Sequence, residues 1–190
     1  IQDNDYQAPA PNNELKLNLL TSFSNGARGT NSAEIVSFDP TTDKLYIANS
    51  IGKKMDIVDF TNPATPVLLN SISIVPYGNI NSLTVHNGVV ACAVENTAPQ
   101  SNGHIVFFDE GGTFISQVEV GAMPDMITFN NDYTKILAAC EGEPSVNYSA
   151  DPEGSVAIID ITGGYATLTN ANVTLVNFQS FNGQETMLRS

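Results

Sequence analysis

The stretch Glu141-Gly142-Glu143-Pro144-Ser145-Val146-Asn147-Tyr148-Ser149-Ala150-Asp151-Pro152-Glu153-Gly154 gathers the side chains most able to do chemistry. Glu141, Glu143, Asp151 and Glu153 supply carboxylates, and Asn147 and the backbone supply carbonyl oxygens. Calcium takes roughly six to eight oxygens from such groups, so the four carboxylates form a candidate metal site. The spacing fits neither the EF-hand loop nor a glycine-rich nonapeptide repeat. Glu141 also has a counterpart in Glu95, at the end of a similar apolar run. That pairing favours a strand-end role, with the carboxylate accepting backbone N–H bonds, over metal ligation.

Other chemistries find less material. His86 and His104 are the two histidines, and no Gly-x-Ser-x-Gly elbow accompanies them. His86 belongs to a His-Asn-Gly turn, where a surface role is expected. No His/Cys group has zinc spacing, and no glycine-rich phosphate loop ends in lysine. No catalytic residue is assigned, although a carboxylate pair for glycoside hydrolysis stays open, since distant acids can meet in space. Asn147-Tyr148-Ser149 and Asn172-Val173-Thr174 are formal glycosylation acceptors without further support.

Formal net charge is −13, from 7 basic against 20 acidic residues. Phosphate backbones need clustered Lys and Arg, so nucleic acid is excluded as a partner, and anionic lipid is disfavoured. No run approaches the roughly 18 apolar residues of a membrane-spanning helix, so no membrane insertion is expected. The start at Ile1 without Met, followed by the polar segment Gln2–Asn13, suggests a processed and secreted chain whose export signal has been removed.

The elements that must position these groups are short strands. Apolar residues alternate in brief runs between Gly, Asn, Asp and Pro clusters, and sustained helical spacing is missing. The runs recur in order. Ala33–Phe38, Leu45–Asn49 and Asp56–Asp59 are matched by Asn81–His86, Val89–Glu95 and Ile105–Asp109, then by Pro124–Phe129, Ile136–Glu141 and Val156–Asp160. A fourth run follows each set, at Val67–Ile74, Thr113–Val120 and Asn172–Phe178. Such units of short strands are the signature of propeller blades. The fold class is therefore all-β: a partial β-propeller of three four-stranded blades, over about 33–74, 81–120 and 124–178. A small two-sheet sandwich is the competing arrangement.

Residues 1–13 read as an extended segment and 179–190 as a linker toward further blades. The run Glu14–Phe23 resembles a fourth strand without its three partners, as expected of a closing blade. Three blades fall short of the roughly four to eight of a closed ring, so the remainder of the propeller, or a neighbouring chain, is an expected partner. The innermost strands begin near Glu34, Asn81 and Asp125, which places those three at a channel mouth as candidate ligand-binding residues. Cys92 and Cys140 fall at the same relative parity of equivalent strands. Adjacent blades touch through opposite faces, so the two are expected buried and unpaired.

Several strings carry a family likeness: Ala33-Glu34-Ile35-Val36 with Phe38-Asp39-Pro40, Asn81-Ser82-Leu83 with Val85-His86-Asn87-Gly88, Gly121-Ala122-Met123-Pro124-Asp125-Met126, and Glu141-Gly142-Glu143-Pro144 with Asp151-Pro152-Glu153-Gly154-Ser155. In that order, over roughly 14 to 188, the chain resembles the choice-of-anchor I domain. That family is a secreted bacterial β-propeller related to mesenchyme-specific cell-surface glycoproteins. The resemblance implies export and display at the cell surface. Phosphatase-like labels in the family imply a second possibility, a calcium-assisted phosphoesterase of the propeller type. The reading reached here is a non-catalytic, secreted or cell-surface interaction or scaffold module that meets a protein or a glycan. A structural component of a surface or secretion assembly is the third alternative. No cofactor is assigned, with calcium the one candidate.

Overall fold

The computed structural model describes residues 17–24 and 33–184. Strands β1 (Ile35–Asp39), β2 (Lys44–Asn49), β3 (Lys54–Asp59) and β4 (Val67–Ser73) form the first sheet. The second contains β5 (Asn79–His86), β6 (Val89–Glu95), β7 (Asn102–Phe108) and β8 (Phe114–Ala122). The third contains β9 (Pro124–Phe129), β10 (Lys135–Cys140), β11 (Ser155–Asp160) and β12 (Val173–Asn177). In each sheet the strands lie in chain order, and every pairing is antiparallel. These are three propeller blades, with β1, β5 and β9 innermost. Tight reversals make the up-and-down order possible. Asn87 and Gly88, both at positive φ, form the two-residue turn between β5 and β6.

The sheets stack through alternating side chains. In β6, Val90, Cys92 and Val94 turn to the first blade, where they meet Tyr46, Met55 and Ile57. Ala91 and Ala93 point the other way and pack with Ile127, Ile136 and Ile159 of the third blade. Consecutive Phe107 and Phe108 divide likewise between the two cores, each essentially inaccessible. A strand apolar on both faces must be covered on both. Each fully buried Phe contributes about 1.5–3 kcal/mol by transfer from water.

Cys92 and Cys140 are buried and unpaired. Each lies on the side of its blade that faces the preceding blade. Burial pushes both thiols up from their ordinary range.

Two expectations change in detail. The lone strand expected over 14–23 is not formed where it can be seen: Leu17–Ser24 enters no sheet, and Glu14–Lys16 lie outside the described residues. A strand needs ladder hydrogen bonds to a neighbour, and this segment is part of no described sheet, although Leu20, Thr21 and Phe23 line a cavity with Val36, Leu45 and Ile47. The second blade, expected over about 81–120, extends two residues further, because β8 runs to Ala122 and β9 starts at Pro124. Met123 alone makes the corner, at φ 52.

Candidate functional site

The loop between β10 and β11 is built from its base upward. Glu141 N–H donates to the Met123 carbonyl at 2.9 Å and Gly142 N–H to that of Ala122 at 3.2 Å. These bonds tie the loop to the β8–β9 corner. Gly142 sits at φ 65, and a Cβ there would lie 2.5 Å from the Pro152 carbonyl oxygen. Only glycine permits the two limbs of the loop to close so tightly.

Above that pinch the loop is braced by its own polar groups. Ser145 N–H donates to the Ala150 carbonyl and Tyr148 N–H to that of Ser145, both at 2.8 Å. The Ser145 hydroxyl accepts Ala150 N–H at 3.0 Å, and Asn147 Oδ1 accepts Ser149 N–H at 3.1 Å. From the second blade, Gln100 Nε2 reaches the Glu143 carbonyl at 3.4 Å. The apex therefore projects Val146, fully exposed, and Tyr148, 74% exposed.

The four carboxylates do not converge. Among the described residues no three His, Cys, Asp or Glu side chains come together as a metal-holding group. Glu153 takes both its oxygens to Gln179 Nε2, at 3.1 and 2.9 Å, beside a cavity of about 160 Å³ lined also by Phe178 and Asn182. Glu141, Glu143 and Asp151 are exposed along the loop.

The channel-mouth residues likewise take separate partners. Glu34 accepts the Ser50 hydroxyl at 3.1 Å. Asn81 Nδ2 donates to Glu95 at 3.3 Å and to the Pro124 carbonyl at 3.2 Å. Asp125 is exposed. Glu95 also accepts from Asn79 Nδ2 at 3.4 Å, so it serves side-chain amides rather than the backbone N–H groups expected of it. Asn81 thus ties the second blade to the third.

Other residues with defined roles escaped the sequence reading. Asp59 and Asp160 each accept the N–H and hydroxyl of a threonine two residues on, Thr61 and Thr162. Asp109 does the same work with the N–H groups of Gly111 and Thr113. The aspartates closing the third strands are therefore turn caps, and the Asp-x-Thr pattern at 59–61 and 160–162 was the available signal. His86 stacks on Tyr133 with ring centroids 3.6 Å apart and planes 6° from parallel, joining the second and third blades. Asp56 is wholly buried, with Lys54 Nζ at 2.9 Å and the Ser71 hydroxyl donating to it. Burial of a carboxylate demands such partners.

The family model of the choice-of-anchor I domain matches residues 34–190. No curated protein matches the chain. Solved structures with similar coordinates include a hydrazine synthase of Kuenenia stuttgartiensis, at a TM-score of 0.53 and 15% identity over 75% of this chain and 36% of that one. A putative 6-phosphogluconolactonase of Bacteroides fragilis gives 0.52 and 12% over 76% and 37%. A luciferin-regenerating enzyme gives 0.54 and 14% over 70% and 47%. Such identities speak to fold alone. The chain spans less than half the length of each of these structures.

Proposed function

The chain belongs to the choice-of-anchor I family, and from that membership we propose that it is an exported, cell-surface propeller module that binds a protein or a glycan without transforming it. The observation that carries this reading is the braced apex of the 141–154 loop. Val146 and Tyr148 stand in water on a scaffold of short hydrogen bonds, at an entropic cost already met by folding. Exposed aromatic and aliphatic groups held rigidly are what recognition surfaces use as anchors. The candidate carboxylates, by contrast, point to separate partners or to solvent.

No helix among the described residues is long and apolar enough to cross a membrane. The test is binding of the labelled protein to a printed glycan array and to immobilised cell-surface proteins. A Val146→Asp, Tyr148→Ala variant is expected to lose at least about tenfold in affinity, the scale of one anchor residue, with an unchanged melting temperature. Binding that the variant leaves intact would remove the apex from the site. Calcium-dependent hydrolysis of a chromogenic phosphate ester, abolished by Glu143→Ala or Asp151→Ala, would instead establish the phosphoesterase.

A further inference from the structure

Strands β11 and β12 end their shared ladder with the pair Ser155–Asn177. Beyond that rung, Glu153-Gly154 and Phe178-Gln179 leave the sheet side by side and line the cavity of about 160 Å³ at the foot of the 141–154 loop. A single turn of 3₁₀-helix, Gln179–Phe181, fixes one wall. Phe181 N–H donates to the Phe178 carbonyl at 2.9 Å, and Asn182 N–H to that of Gln179 at 3.1 Å. Gly154 on the opposite wall brings no side chain, so the space between stays open.

The cavity mixes one charged acceptor with neutral donors and an aromatic ring. Gln179 Nε2 stands between the two oxygens of Glu153, at 3.1 and 2.9 Å. A carboxylate oxygen has about two lone-pair sites, so each keeps acceptor capacity beside that amide. The Asn182 carboxamide takes no hydrogen bond from another described residue, and it adds a second amide to the lining. Phe178 presents an exposed ring next to these groups. Among the described residues no lysine, arginine or histidine lines the cavity. An anion would therefore meet only the Glu153 charge, on a chain of net charge −13. An ammonium group would make no use of the Gln179 and Asn182 N–H groups, because it cannot accept.

We propose that this cavity binds a neutral saccharide through one pyranose ring that carries neighbouring hydroxyls. A hydroxyl donates and accepts at once, and the lining answers both needs: Glu153 accepts, while Gln179 and Asn182 donate and accept. A hydroxyl that donates to the Glu153 carboxylate makes a charge-assisted bond, stronger than a neutral one. The apolar C–H face of the ring lies over Phe178, whose negative π-face attracts the slight positive charge of C–H groups. The site is additional to the Val146 and Tyr148 apex and does not rest on it, since the apex projects from the loop and the cavity lies at its base.

NMR titration of the isotope-labelled protein provides the test. The sugar probes are methyl glucoside, methyl galactoside, methyl mannoside and N-acetylglucosamine, with butylamine as the ammonium probe and N-acetylglycinamide as the peptide probe. The side-chain amide signals of Gln179 and Asn182 are expected to move with at least one sugar, saturating in the millimolar range that suits a small ligand in an open site. Phe178→Ala and Asn182→Ala, read at the Gln179 amide, should each weaken that response at least about tenfold. Their melting temperatures should stay at the wild-type value, because both side chains are exposed. Silence of both amides toward every sugar overturns the proposal, as does an equal response in the two variants. Movement with butylamine or N-acetylglycinamide and with no sugar would make this a cation or peptide site instead, and also overturns it. The Val146→Asp, Tyr148→Ala protein separates the two sites. An amide response kept there supports the cavity even if the apex proves to bind nothing, and a response lost there gives the sugar to the apex.

Discussion

Asp39 Oδ2, at the β1–β2 turn of the first blade, accepts the backbone N–H of Gly88 in the β5–β6 turn of the second at 2.7 Å. The same carboxylate takes the Thr41 N–H at 3.0 Å and the Thr42 hydroxyl at 3.1 Å. Only 1% of Asp39 remains accessible, so one buried carboxylate organises its own turn and clasps the next blade. Thr41 reinforces the clasp by donating its hydroxyl to Asn87 at 3.0 Å.

Asp39→Ala is expected to lower stability by about 1–3 kcal/mol, the cost of leaving buried donors unpaired. Asp39→Asn, which keeps an acceptor oxygen, should lose less. Urea unfolding of the two variants checks both the size and the order. Equal stability of wild type and Asp39→Ala would remove the clasp from the forces that join the blades.

Acid should unfold the protein through its turn caps. Burial works to raise the Asp39 carboxyl, but N–H groups of Thr41 and Gly88 outweigh it and hold it below the usual carboxylate range. For Asp109 burial is again outweighed, by Thr113 and Gly111, while the Thr61 N–H lowers Asp59 and the Thr162 hydroxyl lowers Asp160. A carboxyl depressed in the folded state contributes stability that is complete above its unfolded value and is lost as pH falls through its folded value. The urea midpoint should therefore hold level above about pH 5 and decline below about pH 4. A midpoint that stayed level through this acid range would contradict the assignment.

Gly142→Ala is expected to cost about 1–3 kcal/mol, combining a left-handed backbone with a blocked approach. The added Cβ would stand 2.5 Å from the Pro152 carbonyl oxygen, so the limbs of the loop must part. Amide exchange should quicken at Ser145, Tyr148 and Ala150 while β6 and β7 stay protected. Exchange that is unchanged in the loop would show that the pinch is not what braces the apex.

The thiols should be silent in the folded protein. Cys92 is completely buried, with its sulfur 3.9 Å from that of Met55. A thiol reagent is expected to label neither cysteine until urea opens the stack, and then both. Cys92→Ser should destabilise by about 1–3 kcal/mol, because the hydroxyl enters an apolar core without a partner. Rapid labelling under native conditions would mean that the first and second blades separate readily.

Residue order alone determined that Leu45–Asn49, Val89–Glu95 and Ile136–Glu141 are equivalent second strands of repeated units, because period-two alternation and turn chemistry act between neighbours in the chain. The same local rules placed Cys92 and Cys140 on matching faces and made a disulfide between them unworkable. Tertiary structure decided which polar groups meet. Asp39 and Gly88 come together only when two turns are brought side by side, and Gln179, far along the chain, claims Glu153. Sequence spacing grouped Glu141, Glu143, Asp151 and Glu153, but the pinch at Gly142 and the bracing by Ser145 and Asn147 turned the loop into a projecting apex. A carboxylate's role depends on the donors that packing delivers to it, and packing is set by both faces of every sheet at once.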